Sequence, residues 1–269
     1  GGIEAGRITP EAMERAMKAL AQFRQEADAH GAERITGFGT SAMRHAHNAA
    51  DLVQRAQDEL GIAIRIVPGE EEAGLILDGA RQAVAFGTKP MLVMDIGGGS
   101  IEFILATDKA LMWKRSFEVG VARLRERFAL QDPLSLDDQL RIGTYLNAQL
   151  EPLWAVMERH WPTALVGCAG SFDTLAAMHR ATRSAALAPT ETTLTMPTTE
   201  VQALMEHLLP MSRAERAVVP GLPDYRVDTI LPALIAMDQV LMRGIEHVHW
   251  SRYALKEGAA ARLFGQAAD

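Results

Sequence analysis

Two carboxylates flank a run of glycines at residues 95–102, and together they could hold a phosphate beside a metal ion. Glycine has no Cβ, so the backbone N–H groups of three consecutive glycines can approach a bulky anion closely. Glycine residues can also adopt positive φ angles freely. Asp95 ends an apolar run, where an unpaired carboxylate is costly unless a cation or hydrogen-bond donors compensate it. Glu102 lies on the far side of the turn, close enough to share the site. A plain hairpin with a solvated Asp95 is the alternative, although such a turn needs at most two glycines.

This segment therefore predicts a phosphate-binding loop with a metal ligand on either side. The predicted phosphate-binding residues are Gly97, Gly98, Gly99 and Ser100, and the predicted metal ligands are Asp95 and Glu102. Two other phosphate-binding patterns do not fit. The Walker pattern is absent, and a dinucleotide-binding fingerprint needs a helix after the glycines, whereas residues 101–105 are strand-like.

A second group of acids, at residues 69–73 (GEEEA), opens a helix. Acidic residues in a first helical turn favour the helix macrodipole and can cap the helix. Three in a row also repel one another, and a carboxylate held beside a bound phosphate could orient and deprotonate a water molecule. Both interpretations stay open from the spacing alone. The candidate catalytic residues are Glu71 and Glu72.

Two further loops follow predicted strands. Residues 39–44 (GTSAMR) offer hydroxyls and a guanidinium that suit a phosphate, although such loops often only cap a helix. Residues 167–171 (GCAGS) place N–H groups at a helix start, which suits another phosphate or a nucleotide; a tight strand–helix junction is the alternative. The candidate phosphate-binding residues in these loops are Ser41, Arg44, Gly170 and Ser171.

The elements that must position these residues alternate between strands and helices, which is typical of an α/β fold. Apolar runs at residues 91–96 and 101–106 predict two strands joined by the glycine turn, and residues 110–119 predict a third strand antiparallel to the second. The other predicted elements are helices at 10–29, 51–60, 70–84 and 136–159, strands at 33–38, 63–67, 164–166 and 248–251, a polar connection at 184–197, and a closing helix that begins near residue 256.

Composition and charge limit the possible classes of protein. The 269 residues suffice for two medium domains or one large one, and 48% hydrophobic with 23% charged residues is typical of a soluble globular chain. The net charge of −7 disfavours nucleic acid and membrane surfaces as partners, so a polyanionic substrate needs local donors. A single cysteine, Cys168, excludes an internal disulfide and a cysteine-based zinc site. These features lead us to expect a cytoplasmic protein.

Taken in order, these segments resemble the exopolyphosphatase / guanosine pentaphosphate phosphohydrolase (Ppx/GppA) family of the actin-like superfamily. The matching segments are 39–44, 69–73, 95–102, 119–124, 167–171, 225–228 and 255–258. The resemblance implies an α/β, two-lobed, ribonuclease-H-like fold with the active site in the interdomain cleft. It also implies a first lobe of residues 1–88, joined by the C-terminal helix 255–269, and a second lobe of residues 89–254.

The resemblance further implies a reaction, the hydrolytic release of a terminal phosphoryl group from inorganic polyphosphate or pppGpp. By motif position, Glu72 matches the family's general base, Asp95 and Glu102 match carboxylates that serve Mg²⁺ and water, and Arg44 matches a phosphate-binding arginine. We predict a homodimeric exopolyphosphatase. The alternatives are a pppGpp phosphohydrolase, a non-catalytic regulator that binds polyphosphate or nucleotide, and a sugar or acetate kinase of the same superfamily.

Some positions depart from the family's pattern. The family's leading phosphate-loop hairpin has no match in this sequence, so either the sequence is part of a longer chain or the first lobe lacks its leading strands. We expect the short two-domain form of the family. Ile101 stands where Thr is usual, and Ala169 stands where Gly is common. Gly74 stands where Arg is frequent, which removes a positive charge near the cleft.

Overall fold

The computed structural model describes Gly2 and residues 5–265. Among these residues lie twelve α-helices, eight strands and a short 3₁₀ helix at Asp224–Arg226. In chain order they are α1 (Pro10–Ala29), β1 (Thr36–Gly39), α2 (Ser41–His45), α3 (Ala49–Leu60), β2 (Ala63–Ile66), α4 (Gly69–Ala83), β3 (Met91–Ile96), β4 (Ile101–Ala106), β5 (Leu111–Phe117), α5 (Val121–Phe128), α6 (Leu136–Gln149), α7 (Glu151–His160), β6 (Ala164–Cys168), α8 (Ala169–Ala181), β7 (Thr193–Pro197), α9 (Thr198–Leu208), α10 (Arg213–Arg216), α11 (Ile230–Leu241), β8 (His247–Ser251) and α12 (Leu255–Gly265).

The chain divides into two compact units, of which the first ends at Glu71 and the second begins at Glu72. The predicted lobe boundary after residue 88 lies beyond α4, one helix further along the chain than this division. The assignment of residues to two lobes remains a prediction. The closing helix is described as α12, which ends at Gly265, and residues 266–269 of the predicted helix lie outside the described residues. No helix in the described part of the chain has the length and hydropathy needed to cross a bilayer.

The first unit pairs β1 with β2 in a two-stranded parallel sheet. Helix α1 begins as predicted, because the Thr9 hydroxyl accepts a hydrogen bond from the Ala12 N–H (3.3 Å) and Pro10 occupies the first turn. Met13 and Met17 of α1 pack against Leu52 of α3 and form the core of this unit.

The second unit is built on a six-stranded mixed sheet with the strand order β5-β4-β3-β6-β8-β7. Side chains alternate between the two faces of each strand. Leu92 and Phe103 face the larger core, which includes α6, α8 and α11, whereas Val93 and Ile104 face α4. By the same alternation Asp95 shares the α4 face, so the sheet presents an acid to the helix that carries residues 69–73.

Two parts of the second unit differ from the predicted elements. The predicted helix 136–159 is two helices, α6 and α7, which meet at Leu150. Pro152 in the first turn of α7 has no N–H to donate and would clash with the preceding turn, so one continuous helix cannot form. The polar connection at 184–197 contains a strand that the sequence did not predict, because Thr193–Pro197 pairs with β8 as the outermost strand.

Candidate active site

The structure brings Asp95 and Glu102 directly opposite each other. Strands β3 and β4 pair in antiparallel register with Asp95 and Glu102 as Cα partners, which puts their Cβ atoms about 5 Å apart on one face. Both are nearly inaccessible, with 7% and 1% of their surfaces exposed. The glycine turn between them is closed by a hydrogen bond from the Gly97 N–H to the Ser100 carbonyl (3.0 Å).

The glycine turn is anchored by the first N–H groups of α5. The Gly97 carbonyl accepts a hydrogen bond from the Val121 N–H (3.1 Å), and the Gly98 carbonyl accepts one from the Ala122 N–H (2.8 Å). The Gly99 carbonyl accepts one from the Gly120 N–H (3.2 Å). Because a trans peptide directs its N–H opposite to its carbonyl, the N–H groups that follow these carbonyls point away from α5. Within residues 5–265 no group accepts a hydrogen bond from the Gly98 or Gly99 N–H. The turn therefore presents free donors on one side.

Close backbone approach requires glycine at position 120, at the start of α5. The freedom of glycine to adopt positive φ is not used at Gly97 or Gly98, which have no positive φ angle. Instead, a Cβ at Gly120, the N-cap of α5, would lie 2.5 Å from both the Gly98 carbonyl and the Ser100 nitrogen. Only glycine at position 120 lets the helix start reach the turn.

Two adjacent acids of α4 have different surroundings. Glu72 is 6% exposed and lies near enough to Asp95 and Glu102 for its charge to raise the pKa of both. Glu71 instead belongs to the first unit, where Arg65 Nη1 lies 2.7 Å from Glu71 Oε1 and 2.8 Å from its Oε2. The geometry thus separates two acids that the sequence leaves equivalent, and it groups Glu72 with the buried pair.

Burial and mutual repulsion dominate the electrostatics of these acids. Burial raises the pKa of Asp95 to about 7, and the charges of Glu72 and Asp173 add to this effect. Burial likewise raises the pKa of Glu102, with repulsion by Glu72 and Asp95 next in size. Burial and repulsion therefore make the ionised forms of Asp95 and Glu102 unfavourable, and a bound cation would stabilise these ionised forms.

The hydrogen bonds of Glu102 leave one of its oxygens available. The hydroxyls of Ser100 and Ser116 both donate to Glu102 Oε1, each at 2.6 Å. No group in the described part of the chain donates to Oε2. The same residues hold no ready-made cage of three or more Asp, Glu, His or Cys side chains for a metal ion. Mg²⁺ is commonly held by one or two carboxylates together with waters and substrate phosphates, so Asp95 and Glu102 fit this ion.

The second glycine turn begins at the same edge of the sheet. Strand β6 runs parallel to β3 with Cys168 aligned to Asp95, and α8 starts at the next residue. Gly170 and Ser171 therefore lie in the first turn of α8, beside the end of the strand that carries Asp95. Ala169 has φ 65°, a left-handed conformation that favours glycine and explains why Gly is common at this position in the family.

Arg226, Asp173 and Trp250 lie near this second turn, and of these only Arg226 belongs to a segment that resembles the family pattern. The Arg226 guanidinium lies on Gly170 so closely that a Cβ there would be 1.7 Å from Nη2. Its Nε is buried and has no hydrogen-bond partner among the described residues. Asp173, whose pKa is raised by burial, accepts a hydrogen bond from Trp250 Nε1 (2.7 Å). No local pattern reveals Asp173 or Trp250, and segment 225–228 does not by itself place Arg226 on Gly170, since distant segments meet only in the folded chain.

The other two predicted phosphate-binding residues belong to the first unit. Ser41 is the first residue of α2 and is buried, and Arg44 of the same helix donates from Nη1 to the Val67 carbonyl (3.2 Å). Their contact with phosphate stays a prediction.

The Ppx/GppA phosphatase family model matches residues 3–266. The chain belongs to the Ppx/GppA phosphatase family. This membership confirms the predicted family and the predicted class of enzyme, a phosphoanhydride hydrolase.

Several named proteins are similar to this family member along most of its length. An exopolyphosphatase structure from Cytophaga hutchinsonii matches with a TM-score of 0.95 and 35% identity, covering 99% of this chain and 86% of that one. Exopolyphosphatase 1 of Mycobacterium tuberculosis H37Rv is 28% identical, covering 98% of this chain and 77% of the relative. A guanosine-5'-triphosphate,3'-diphosphate pyrophosphatase of Photobacterium profundum is 29% identical, covering 64% of this chain and 34% of the relative. The predicted α/β fold class is confirmed.

The stability of this Ppx/GppA protein should depend on pH through its buried acids. Asp95 and Glu102 have folded-state pKa values above those of the unfolded chain, so the folded state binds protons more tightly. Their contribution is complete below about pH 4 and is lost as the pH rises through about 7. In metal-free buffer we expect the free energy of unfolding, measured with urea, to fall between about pH 5 and pH 8.

Two variants separate this effect from general pH dependence. Asp95→Asn should flatten the decline, because the amide does not ionise. Asp108→Asn, at an exposed turn position, should leave the slope unchanged. A wild-type protein whose stability rises over this range would contradict the assignment of raised pKa values.

Proposed function

We propose that this protein is an exopolyphosphatase that hydrolyses the terminal phosphoryl group of inorganic polyphosphate. The observation that carries the proposal is the burial of Glu72 beside Asp95 and Glu102, next to a turn with outward-facing N–H groups. Phosphoryl transfer is catalysed mainly by positioning and charge stabilisation, which this arrangement supplies.

Glu72 acts as the general base in this proposal. A water molecule attacks the terminal phosphorus, its proton passes to a Glu72 carboxylate oxygen, and the bridging P–O bond to the next phosphoryl group breaks. Inorganic phosphate and a chain shorter by one unit are the products. The environment supports Glu72 over Glu71, because Glu71 pairs with Arg65 whereas the charge of Glu72 acts on Asp95 and Glu102.

The terminal phosphoryl group binds to backbone donors in this proposal. The N–H groups of Gly98, Gly99 and Ser100 leave the side of the turn opposite α5 and converge on an oxyanion. The N–H groups at the start of α8 add donors at the same sheet edge, and the Arg226 guanidinium, whose Nε is buried, lies on that turn. The further proposed phosphate-binding residues are Gly97, Gly170, Ser171, Ser41 and Arg44.

Asp95 and Glu102 would hold Mg²⁺. When bound, the ion would neutralise the charge of the phosphoanhydride oxygens and of the buried acids. The role of the two carboxylates is to present oxygen ligands in a place from which water is largely excluded. A homodimer and a cytoplasmic location remain predictions.

A comparison of substrates tests the proposal. We expect the purified chain with Mg²⁺ to release phosphate from polyphosphate faster than from pppGpp, as followed by a phosphate assay. Polyphosphate is favoured because the relatives named exopolyphosphatase match over most of their lengths. Faster release from pppGpp would support the second candidate, a pppGpp phosphohydrolase, whose named relative matches over a shorter stretch. Tight calorimetric binding without any product would instead favour a non-catalytic regulator.

A further inference from the structure

Two cations meet over Gly74 of α4, and the proposed reaction uses neither of them. A Cβ at Gly74 would lie 3.0 Å from Arg262 Nη2, on α12, and 3.8 Å from Lys114 Nζ, on β5. Both cationic nitrogens therefore lie within 4 Å of one point on the side of α4. Gly74 is buried and has no side chain, so Arg262 can lie directly over α4 at this point.

The positive charge at this point exceeds the negative charge available to it. Arg262 Nε pairs with Asp78, and the guanidinium is 43% exposed. Lys114 is half-buried and forms no ion pair with any residue of the described chain. Two like charges this close repel each other unless an anion lies between them, and one carboxylate neutralises only one of them. The pair is therefore suited to an external anion.

Strand geometry places this cation pair beside the acid cluster but not within it. Lys114 and Ser116 are two residues apart on β5, so they share a face about 7 Å apart. Ser116 donates to Glu102, whereas Lys114 pairs in register with Ile104, one step farther from the glycine turn. An anion on Lys114 would thus be held at a distance from the carboxylates that serve the reacting group.

We propose that Lys114 and Arg262 form an anion subsite that binds a phosphoryl group of the substrate chain remote from the one that is cleaved. The inference rests on the proposed function for the identity of this ligand, a linear inorganic polyphosphate. The lysine ammonium supplies a mobile point charge and the arginine a planar fork of donors. The chain carries a net charge of −7, so local cations are needed to hold a long polyanion.

Chain-length dependence of KM tests the subsite. We expect Lys114→Met to raise KM for long polyphosphate about tenfold and to leave kcat within about twofold, since the lost contact is the same in ground and transition states. Tripolyphosphate, if too short to reach the subsite, should show a smaller change. Lys109→Met, at an exposed turn position of the same hairpin, should change neither constant. An unchanged KM for long chains in Lys114→Met would overturn the subsite.

A second pair of variants leaves both cations in place. Gly74→Glu puts a carboxylate at the meeting point, where it should pair with both cations and raise KM for long polyphosphate as Lys114→Met does. Gly74→Ala adds only the Cβ, which displaces the flexible end of Arg262, and should leave KM close to wild type. Equal increases of KM in Gly74→Glu and Gly74→Ala would indicate a packing defect and contradict the subsite.

Binding without turnover keeps this inference separate from the proposed function. If the wild type releases no phosphate from any polyphosphate, the proposed function fails. Calorimetric titration of wild type and Lys114→Met with long-chain polyphosphate still decides the subsite, because binding needs no hydrolysis. Weaker binding by the variant supports it, and equal binding excludes it.

Discussion

Glu72→Gln is expected to lower kcat for phosphate release from polyphosphate by about 10²–10⁴-fold, the usual contribution of a general base. The amide keeps the size of the side chain but cannot take the proton of the attacking water. KM should change little, because Glu72 is not a proposed phosphate-binding residue. The measurement is steady-state phosphate release at saturating Mg²⁺.

Glu71→Gln is the matched control, because it makes the same change one residue earlier on α4. Glu71 is paired with Arg65, so its loss should reduce kcat by less than about threefold. Equal losses of kcat in both variants would exclude Glu72 as the base.

Gly120→Ala is expected to impair both catalysis and folding. The added Cβ would meet the Gly98 carbonyl and the Ser100 nitrogen at 2.5 Å, and these are backbone atoms that cannot move aside cheaply. The turn must shift, and a displacement of about 1 Å at a reacting group can cost about 10²-fold in rate. Overpacking of this kind typically destabilises a protein by about 1–3 kcal/mol.

The measurements are kcat with polyphosphate and the urea midpoint. Gly87→Ala is the control, because a Cβ at Gly87 meets nothing within 4 Å and its φ is not positive. It should leave both quantities near the wild-type values. A Gly120→Ala protein with wild-type kcat would mean that the position of the glycine turn does not limit the reaction.

The turn and its flanking acids could be predicted because the signal is local. Runs of apolar residues fix β3 and β4 at residues 91–96 and 101–106, as predicted, and three glycines leave only a tight connection between them. Two strands of known pairing then bring Asp95 and Glu102 together by register alone. The need for glycine at position 120 was not local, because it depends on the close approach of this N-cap residue of α5 to the backbone of Gly98 and Ser100.

The spacing alone could not choose between Glu71 and Glu72, and only the family resemblance favoured Glu72, because burial is a property of the folded chain. Both acids occupy the first turn of α4. Only tertiary packing pairs Glu71 with Arg65 and brings the charge of Glu72 near Asp95. The cations over Gly74 likewise come from β5 and α12, which are distant in sequence. Strand β7 was missed for a related reason, since a Thr-rich segment extends only when it pairs with β8.

The indole of Trp250 offers a natural optical reporter for this enzyme. Its Nε1 donates to Asp173, a carboxylate whose charge in turn influences Asp95. Tryptophan emission responds to the charge of a group bonded to the ring nitrogen, so ligand or metal entry can be followed by fluorescence in the unlabelled protein. The chain has four tryptophans, and Trp250→Phe would identify the part of the signal that comes from this position.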